Sequence, residues 1–313
     1  MKKIIFLVAL LITVLVFSYA CCESTPINDF VYVARNGEAA IRSYTGSDKT
    51  VIIPDEIDGC KVTTITKEAF KENKTIEKVV LPESLTTLSD SAFEDCSSLA
   101  EINIPENVTI IPRSCFKGCE SLSSIQLPEG IQEICNYAFY SCKSLNSINF
   151  PTNRNPVLKI GYAAFDYCAL SGVLELNADW VTLSASFQEC KFSHVIINTD
   201  KLTMNVWDQG MYFDSGCFTC NDLVLYISPE ATVTGSTVLI GSKVSDLTIF
   251  APDDGTLFEK QDFSGVKNIM VYARPGTKAL EIAEEQWFPT NSDQYKEKVS
   301  DLMKLTKGNT TKE

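Results

Sequence analysis

The apolar positions of residues 68–151 recur as one phrase, written four times: EAFKENKTIEKVVLP, SAFEDCSSLAEINIP, SCFKGCESLSSIQLP and YAFYSCKSLNSINFP. Phe70, Phe93, Phe116 and Phe139 are evenly spaced, and Pro82, Pro105, Pro128 and Pro151 keep the same step. So do Leu99, Leu122 and Leu145, Ile102, Ile125 and Ile148, and the cysteines Cys96, Cys119 and Cys142. A fixed period in the low twenties predicts a solenoid, in which each turn buries its apolar face only against its neighbours. Within a turn, Leu99, Ile102 and Ile104 set against Glu101 and Asn103 predict a short strand with the aliphatic residues inward. The proline that follows ends the strand, because it cannot donate to the next ladder. Residues 108–111 (VTII) predict a second extended segment. Residues 91–96 predict a tight turn or short helix, with Phe93 plugging the core.

After Pro151 the period loosens. Phe165 and Cys168 arrive three positions late relative to Phe139 and Cys142, which marks an insertion. Phe187 and Cys190 then come one position early. CFTCNDLVLYISP, SKVSDLTIFAP and SGVKNIMVYARP keep the strand half of the unit, giving about nine turns in all. Cys220 aligns with Cys96, which puts Cys217 at the Phe93 position.

Equivalent residues of stacked turns lie about 4.8 Å apart. The cysteine of each turn therefore faces a crowded interior that favours a small, soft, apolar group. Such a spacing also permits disulfides. Parallel side chains do not point at one another, however, and Cys96, Cys119, Cys142, Cys168 and Cys190 are an odd number. The expectation is five buried thiols.

The unit LPESLTTLSDSAFEDCSSLAEINIP resembles the BspA-type leucine-rich repeat, strongly from Val51 to Pro151 and more weakly to Pro275. The resemblance implies an exported bacterial protein, surface-displayed or secreted, that acts in adhesion and binds host or matrix components. That family carries no catalytic motif, so no active-site residue is carried over.

The first residues, MKKIIFLVALLITVLVFSYACCES, set two lysines before an apolar run from Ile4 to Phe17. That run is short for a bilayer span and suits a signal peptide cut after Ala20. Cys21 would then be first, as in a bacterial lipoprotein, where that thiol is acylated. Ser18 departs from the aliphatic residue usual in that motif, and plain secretion is the alternative. The formal net charge of −13 sets nucleic acid aside as a partner. A membrane role is expected only through lipidation at Cys21.

A solenoid needs its ends covered. Asn36-Gly37 between two apolar-rich stretches predicts a hairpin with a type I′ turn. Residues 277–287 predict one helix. Residues 292–308 predict a second, with Ser292 as N-cap and Tyr295, Val299, Leu302 and Met303 on one face, covering the last turn. The expected layout is a signal peptide over 1–20, a linker and hairpin cap over 21–50, and the repeat domain over 51–275. A helical cap follows over 276–306, with a disordered tail over 307–313. The fold class is a repeat solenoid, α+β with mostly short strands, wound as a right-handed leucine-rich-repeat superhelix.

Little in the chain suggests chemistry. His194 is the only histidine, which removes any two-histidine metal site. It aligns with outward positions, whereas Cys190 faces the core, so the two should not form a dyad. Cys217-Phe-Thr-Cys220 lacks a second pair for zinc and the context of a redox motif. No catalytic residue, metal or cofactor is expected. Binding is expected instead on the outward strand face, along a column of Asn103, Gln126, Asn149, Glu175, Ile196, Tyr226 and Thr248, from Val80 to Met270. Lys78, Glu101, Ser124, Ser147 and His194 form its neighbour. The enlarged turn holding Trp207 and Tyr212 reads equally as a binding loop or as aromatics folded over a widened core. The favoured function is a non-catalytic adhesion module, expected to be monomeric, that recognises a protein or glycan. A structural envelope scaffold is the alternative, and a hydrolase with carboxylates on the strand face a distant third.

Overall fold

The structure, a computed structural model, describes residues 24–204, 218, 222–235, 244–260, 263, 266–286 and 288–309. Segment 1–20, Cys21, Trp207, Tyr212, Cys217 and Cys220 lie outside the described residues. The chain winds as a solenoid of about nine parallel turns. Each regular turn contributes a strand to one side, a second strand to another, and a turn segment to a third. The first side runs through Thr50–Ile52, Lys78–Val80, Glu101–Ile102, Ser124–Gln126 and Ser147–Asn149. Its register keeps the period, with Lys78 beside Glu101 and Gln126 beside Asn149. The second side runs through Thr87–Leu88, Ile110–Ile111, Glu133–Ile134 and Asn155–Ile160. Past the insertion, Ser171–Leu183 is one long strand that serves both sides. The first side then continues through Lys191–Asn198, Asp222–Ile227, Asp246–Phe250 and Asn268–Tyr272, all parallel.

The third side is neither helix nor simple turn. Glu68, Ser91, Ser114 and Tyr137 have positive φ, and so do Glu72, Asp95, Gly118 and Ser141. Left-handed residues thus flank each core phenylalanine two positions away on either side. This alternation aims successive N–H groups in two directions. Those of Ser91, Phe93 and Asp95 donate to Arg113, Cys115 and Lys117 of the next turn. Those of Ala92, Glu94 and Cys96 donate back to Ser89, Ser91 and Phe93 within their own turn. The backbone polar groups of a buried segment are thereby satisfied without a helix.

Two ladders run through the interior. From Tyr44 through Phe70, Phe93, Phe116, Phe139, Phe165 and Phe187 to Phe218, ring centroids are 4.9–5.8 Å apart and the planes lie within 25°. Phe218 therefore holds the position that sequence alignment assigns to Cys217; the register is one residue further along. Beside the rings run the cysteines. The thiols of Cys96, Cys119, Cys142, Cys168 and Cys190 donate to the carbonyls of Phe70, Phe93, Phe116, Phe139 and Phe165, at 3.0–3.4 Å. No disulfide joins the cysteines of the described residues. The cysteine is thus more than a small apolar filler, because it gives the phenylalanine carbonyl of the preceding turn a donor. Burial pushes all of the column thiols from Cys96 to Cys168 well up from their ordinary value.

At the amino end, Phe30–Arg35 and Glu38–Tyr44 pair antiparallel about Asn36 (φ 55°) and Gly37 (φ 82°), the hairpin expected from the Asn-Gly pair. A second hairpin turn of the same chemistry, Asp58-Gly59, joins Glu56–Ile57 to Cys60–Ile65. At the other end lie three helices: α1 (Thr256–Lys260), α2 (Lys278–Glu285) and α3 (Tyr295–Asn309). Leu257 and Phe258 of α1, with Ala279 and Ala283 of α2, join the main core. Closing the last turns therefore falls to α1 and α2. Helix α3, expected there too, lies elsewhere: its apolar face covers the outward strand face over Ile196, Tyr226 and Phe250. In the turn just before it, the Gln294 N–H donates to Asn291 Oδ1 at 3.3 Å and the Tyr295 N–H to the Ser292 carbonyl at 3.2 Å.

Candidate functional site: a cleft in the strand face

The strand face opens after Asn149. The pairing of Ser124–Gln126 with Ser147–Asn149 ends one sheet, and the next paired strand on that side is Ser171–Leu183. Between them lies the insertion that lengthens the turn from Phe139 to Phe165. The gap is a cleft of about 730 Å³. One wall is formed by Asn146, Ser147, Asn149, Phe150 and Thr152, and the other by Ser171, Val173, Glu175 and Asn177. Gln126 and Glu129 also line it, with the buried Leu170 and Phe192 beneath.

Local hydrogen bonds build each wall. Glu129 accepts from the Asn153 N–H at 3.2 Å and from the Thr152 hydroxyl at 3.3 Å, which holds the loop after Pro151. The Asn155 side chain donates to the Glu129 and Ile131 carbonyls at 2.9 and 3.0 Å. On the rim, Asn149 Nδ2 donates to Gln126 Oε1 at 2.8 Å. On the far side, Asn198 Nδ2 donates to Glu175 Oε1 at 3.1 Å and to Asn177 Oδ1 at 2.8 Å. The result is an array of amides beside the Glu129 and Glu175 carboxylates, held by partners on neighbouring turns. Each amide carries both donors and acceptors. Such an array suits ligands dense in hydroxyl groups.

The expected column divides into three groups. Gln126, Asn149 and Glu175 meet at the cleft. Asn103 is occupied by structure: Leu81 N–H donates to its Oδ1 at 2.7 Å, and its Nδ2 donates to the Leu81 carbonyl at 2.9 Å. Its side chain stands in for a missing backbone pair. Ile196 and Tyr226 were expected to be exposed, yet they are 0% and 7% exposed. They do point outward, but α3 covers them. Thr248 does not extend this column either. It pairs with Val224 and Met270, and Phe250 is the residue beside Tyr226. Thr248 lines a shallower groove of about 470 Å³ with His194, Asp222 and Asp246.

Asn146, Ser171 and Asn177 were not singled out from the sequence. The lengthened step from Phe139 to Phe165 was the available signal, since an insertion in a stacked array must open the sheet somewhere. Among the described residues, no group of three or more His, Cys, Asp or Glu is placed to hold a metal ion. Cys190 Sγ bonds the Phe165 carbonyl in the core, while His194 Nδ1 lies 3.0 Å from Ser193 Oγ on the outward side. The two do not meet. No helix among the described residues is long and apolar enough to cross a membrane.

The profile of the BspA type leucine rich repeat region matches residues 49–171 in six copies. No curated protein matches the chain. Among solved structures, a T. pallidum leucine rich repeat protein is similar at 22% identity, over 72% of this chain and 86% of that one, with a TM-score of 0.35. A leucine rich cell surface protein of Faecalibacterium prausnitzii is similar at 14% identity, over 79% and 88%, with a TM-score of 0.40. The pneumococcal vaccine antigen PcpA is similar at 13% identity, over 81% and 88%, with a TM-score of 0.46.

Proposed function

We propose that the chain, whose residues 49–171 match the BspA type leucine rich repeat region, is an exported, non-catalytic recognition module whose strand-face cleft binds a glycan. The supporting observation is the amide and carboxylate array of Gln126, Asn149, Glu175 and Asn177 around an open cleft of about 730 Å³. Sugar hydroxyls both donate and accept, and side-chain amides answer both needs at fixed spacing. Phe150, half-buried at the cleft, adds apolar surface for the C–H face of a sugar ring. Export is read from the apolar run of residues 4–17 and the small residues before Cys21.

The test is a screen of the full chain on immobilised glycans and matrix proteins, beside the Asn149→Lys variant. Lysine there fills the rim and breaks the bond to Gln126. A glycan bound by the wild type and lost in a folded variant supports the reading. Binding only to matrix proteins moves the ligand class to protein. Binding of neither favours an envelope scaffold.

A further inference from the structure

The amino-terminal hairpin leaves one strand edge bare. Phe30–Arg35 pairs with Glu38–Tyr44 on one side, and among the described residues no strand pairs with its other side. Arg35 and Glu38 flank the two-residue turn, so Arg35 and Val33 aim their backbone groups at Glu38–Tyr44. Tyr32 and Ala34 aim their N–H and C=O groups the other way, into the open, as Phe30 does its carbonyl. The Phe30 N–H already donates to the Ile27 carbonyl. An open row of this kind is a template for a further strand.

The side chains do nothing to discourage pairing. Native sheets blunt a bare edge with lysine, proline or an inward-pointing charge. Here Val31 and Val33 stand 48% and 45% exposed, with Ile27 just before them at 39%. These are three of the six large apolar side chains exposed among the described residues, so the exposed apolar surface is concentrated at this edge. Charge occurs only at the two ends of the segment, at Asp29 and Arg35, and neither makes an ion pair among the described residues. The Tyr32 hydroxyl donates to Asp58 of its own chain at 2.6 Å, which draws that side chain away from the bare edge.

We propose that this edge joins two copies of the chain head to head, with Phe30–Arg35 of each pairing antiparallel to the other about a two-fold axis at Tyr32. The segment DFVYVAR is complementary to itself under that operation. Val31 of one copy falls opposite Val33 of the other, and Asp29 falls opposite Arg35. Each contact occurs twice, as an isologous interface requires. The two Tyr32 residues exchange backbone bonds, and each Ala34 N–H donates to the Phe30 carbonyl facing it. A strand of another protein would need both charges in the reverse order with apolar residues between them; a second copy supplies them by symmetry. The pairing sets two clefts on one particle, which raises avidity for a repeating ligand. No cleft-lining residue belongs to this edge, so the two readings can fail separately.

Sedimentation velocity of the full chain over a range of concentrations tests this. A species of twice the chain mass should grow with concentration. Val33→Lys leaves the hairpin's own backbone bonds in place and should weaken the dimer at least tenfold. Arg35→Asp should weaken it severalfold by facing Asp29 with a second carboxylate, and Asp29→Arg combined with Arg35→Asp should restore it. A chain that is monomeric at every concentration would overturn the proposal and leave the edge to a strand of a different protein. A dimer indifferent to Val33→Lys, or one that the double exchange fails to restore, would overturn it as well. Should the variants not fold, the wild type still decides. Its Tyr32 and Ala34 amides should exchange hydrogen more slowly in concentrated than in dilute solution, and equal exchange would overturn the pairing.

Discussion

Glu94 and Asp166 occupy the same position three turns apart, each directly after a phenylalanine of the stacked ring ladder, yet only Glu94 meets lysines. Lys71 and Lys117, from the turns on either side, lie 3.1 and 2.9 Å from the Glu94 carboxylate. At Asp166 the flanking positions hold Tyr140 and Gln188, and the Gln188 N–H donates to Oδ1 at 2.8 Å. Desolvation opposes the Glu94 charge, but hydrogen bonds from Lys117, Lys71 and Ser91 bring its carboxyl down to about 2. Burial instead pushes Asp166 up to about 7, with the Gln188 N–H pulling the other way and Glu189 adding to the rise.

For Asp166 the folded state holds its proton more tightly than the unfolded chain. Its contribution is whole below about pH 4 and is lost as pH rises through about 7. Asp166→Asn should therefore remove a decline in stability between those values. Above pH 8 the variant should be more stable by on the order of 4 kcal/mol. Urea melts at pH 4.5 and 8.5 check this; parallel shifts at both values would contradict it.

Glu94 has the opposite sign. Its contribution is present above about pH 4.5 and is lost as pH falls through about 2. Glu94→Gln should cost about 3 kcal/mol at pH 7 and almost nothing at pH 2. The same melts, extended to acid, read the difference.

The buried thiols should resist alkylation in the native protein. Cys96, Cys115, Cys119, Cys142, Cys168 and Cys190 are at most 5% exposed. Mass spectrometry after iodoacetamide treatment should find all six unmodified, and all six modified once guanidinium is added. Native labelling of any one would contradict the column. Cys119→Ala should cost about 1–2 kcal/mol, because the Phe93 carbonyl loses a donor along with the packing of a sulfur atom.

Phe116 sits mid-ladder, fully buried, with Phe93 and Phe139 stacked at 5.5 and 5.2 Å. Phe116→Ala should cost roughly 3–5 kcal/mol by thermal or urea denaturation. A loss below about 1 kcal/mol would show that the turns collapse around the gap.

The regular turns were legible because stacking imposes the same demand at each level. A ring must fall on a ring, so Phe70 to Phe139 fix the period. Legibility failed where turn length changed. The step from Phe187 to Phe218 is far longer than the regular one, and alignment on cysteines put Cys217 where Phe218 belongs. Thr248 was placed beside Tyr226 for the same reason, although the true partner is Phe250. The apolar face of α3 was readable, but amphipathic pattern says that a face is buried and not against what. Ile196 and Tyr226 were assigned outward correctly and exposed incorrectly, because their cover comes from a helix far downstream in the chain. The cleft residues share this limit: spacing reveals an insertion, while the opening it makes is a property of the stacked turns.

The most direct test of recognition at the cleft is isothermal titration of the best-bound glycan into three full-length proteins: wild type, Asn149→Lys, and Thr248→Lys in the separate groove. The expected result is a loss of at least a hundredfold in affinity for Asn149→Lys with Thr248→Lys unchanged. Equal affinity for wild type and a folded Asn149→Lys protein would contradict it.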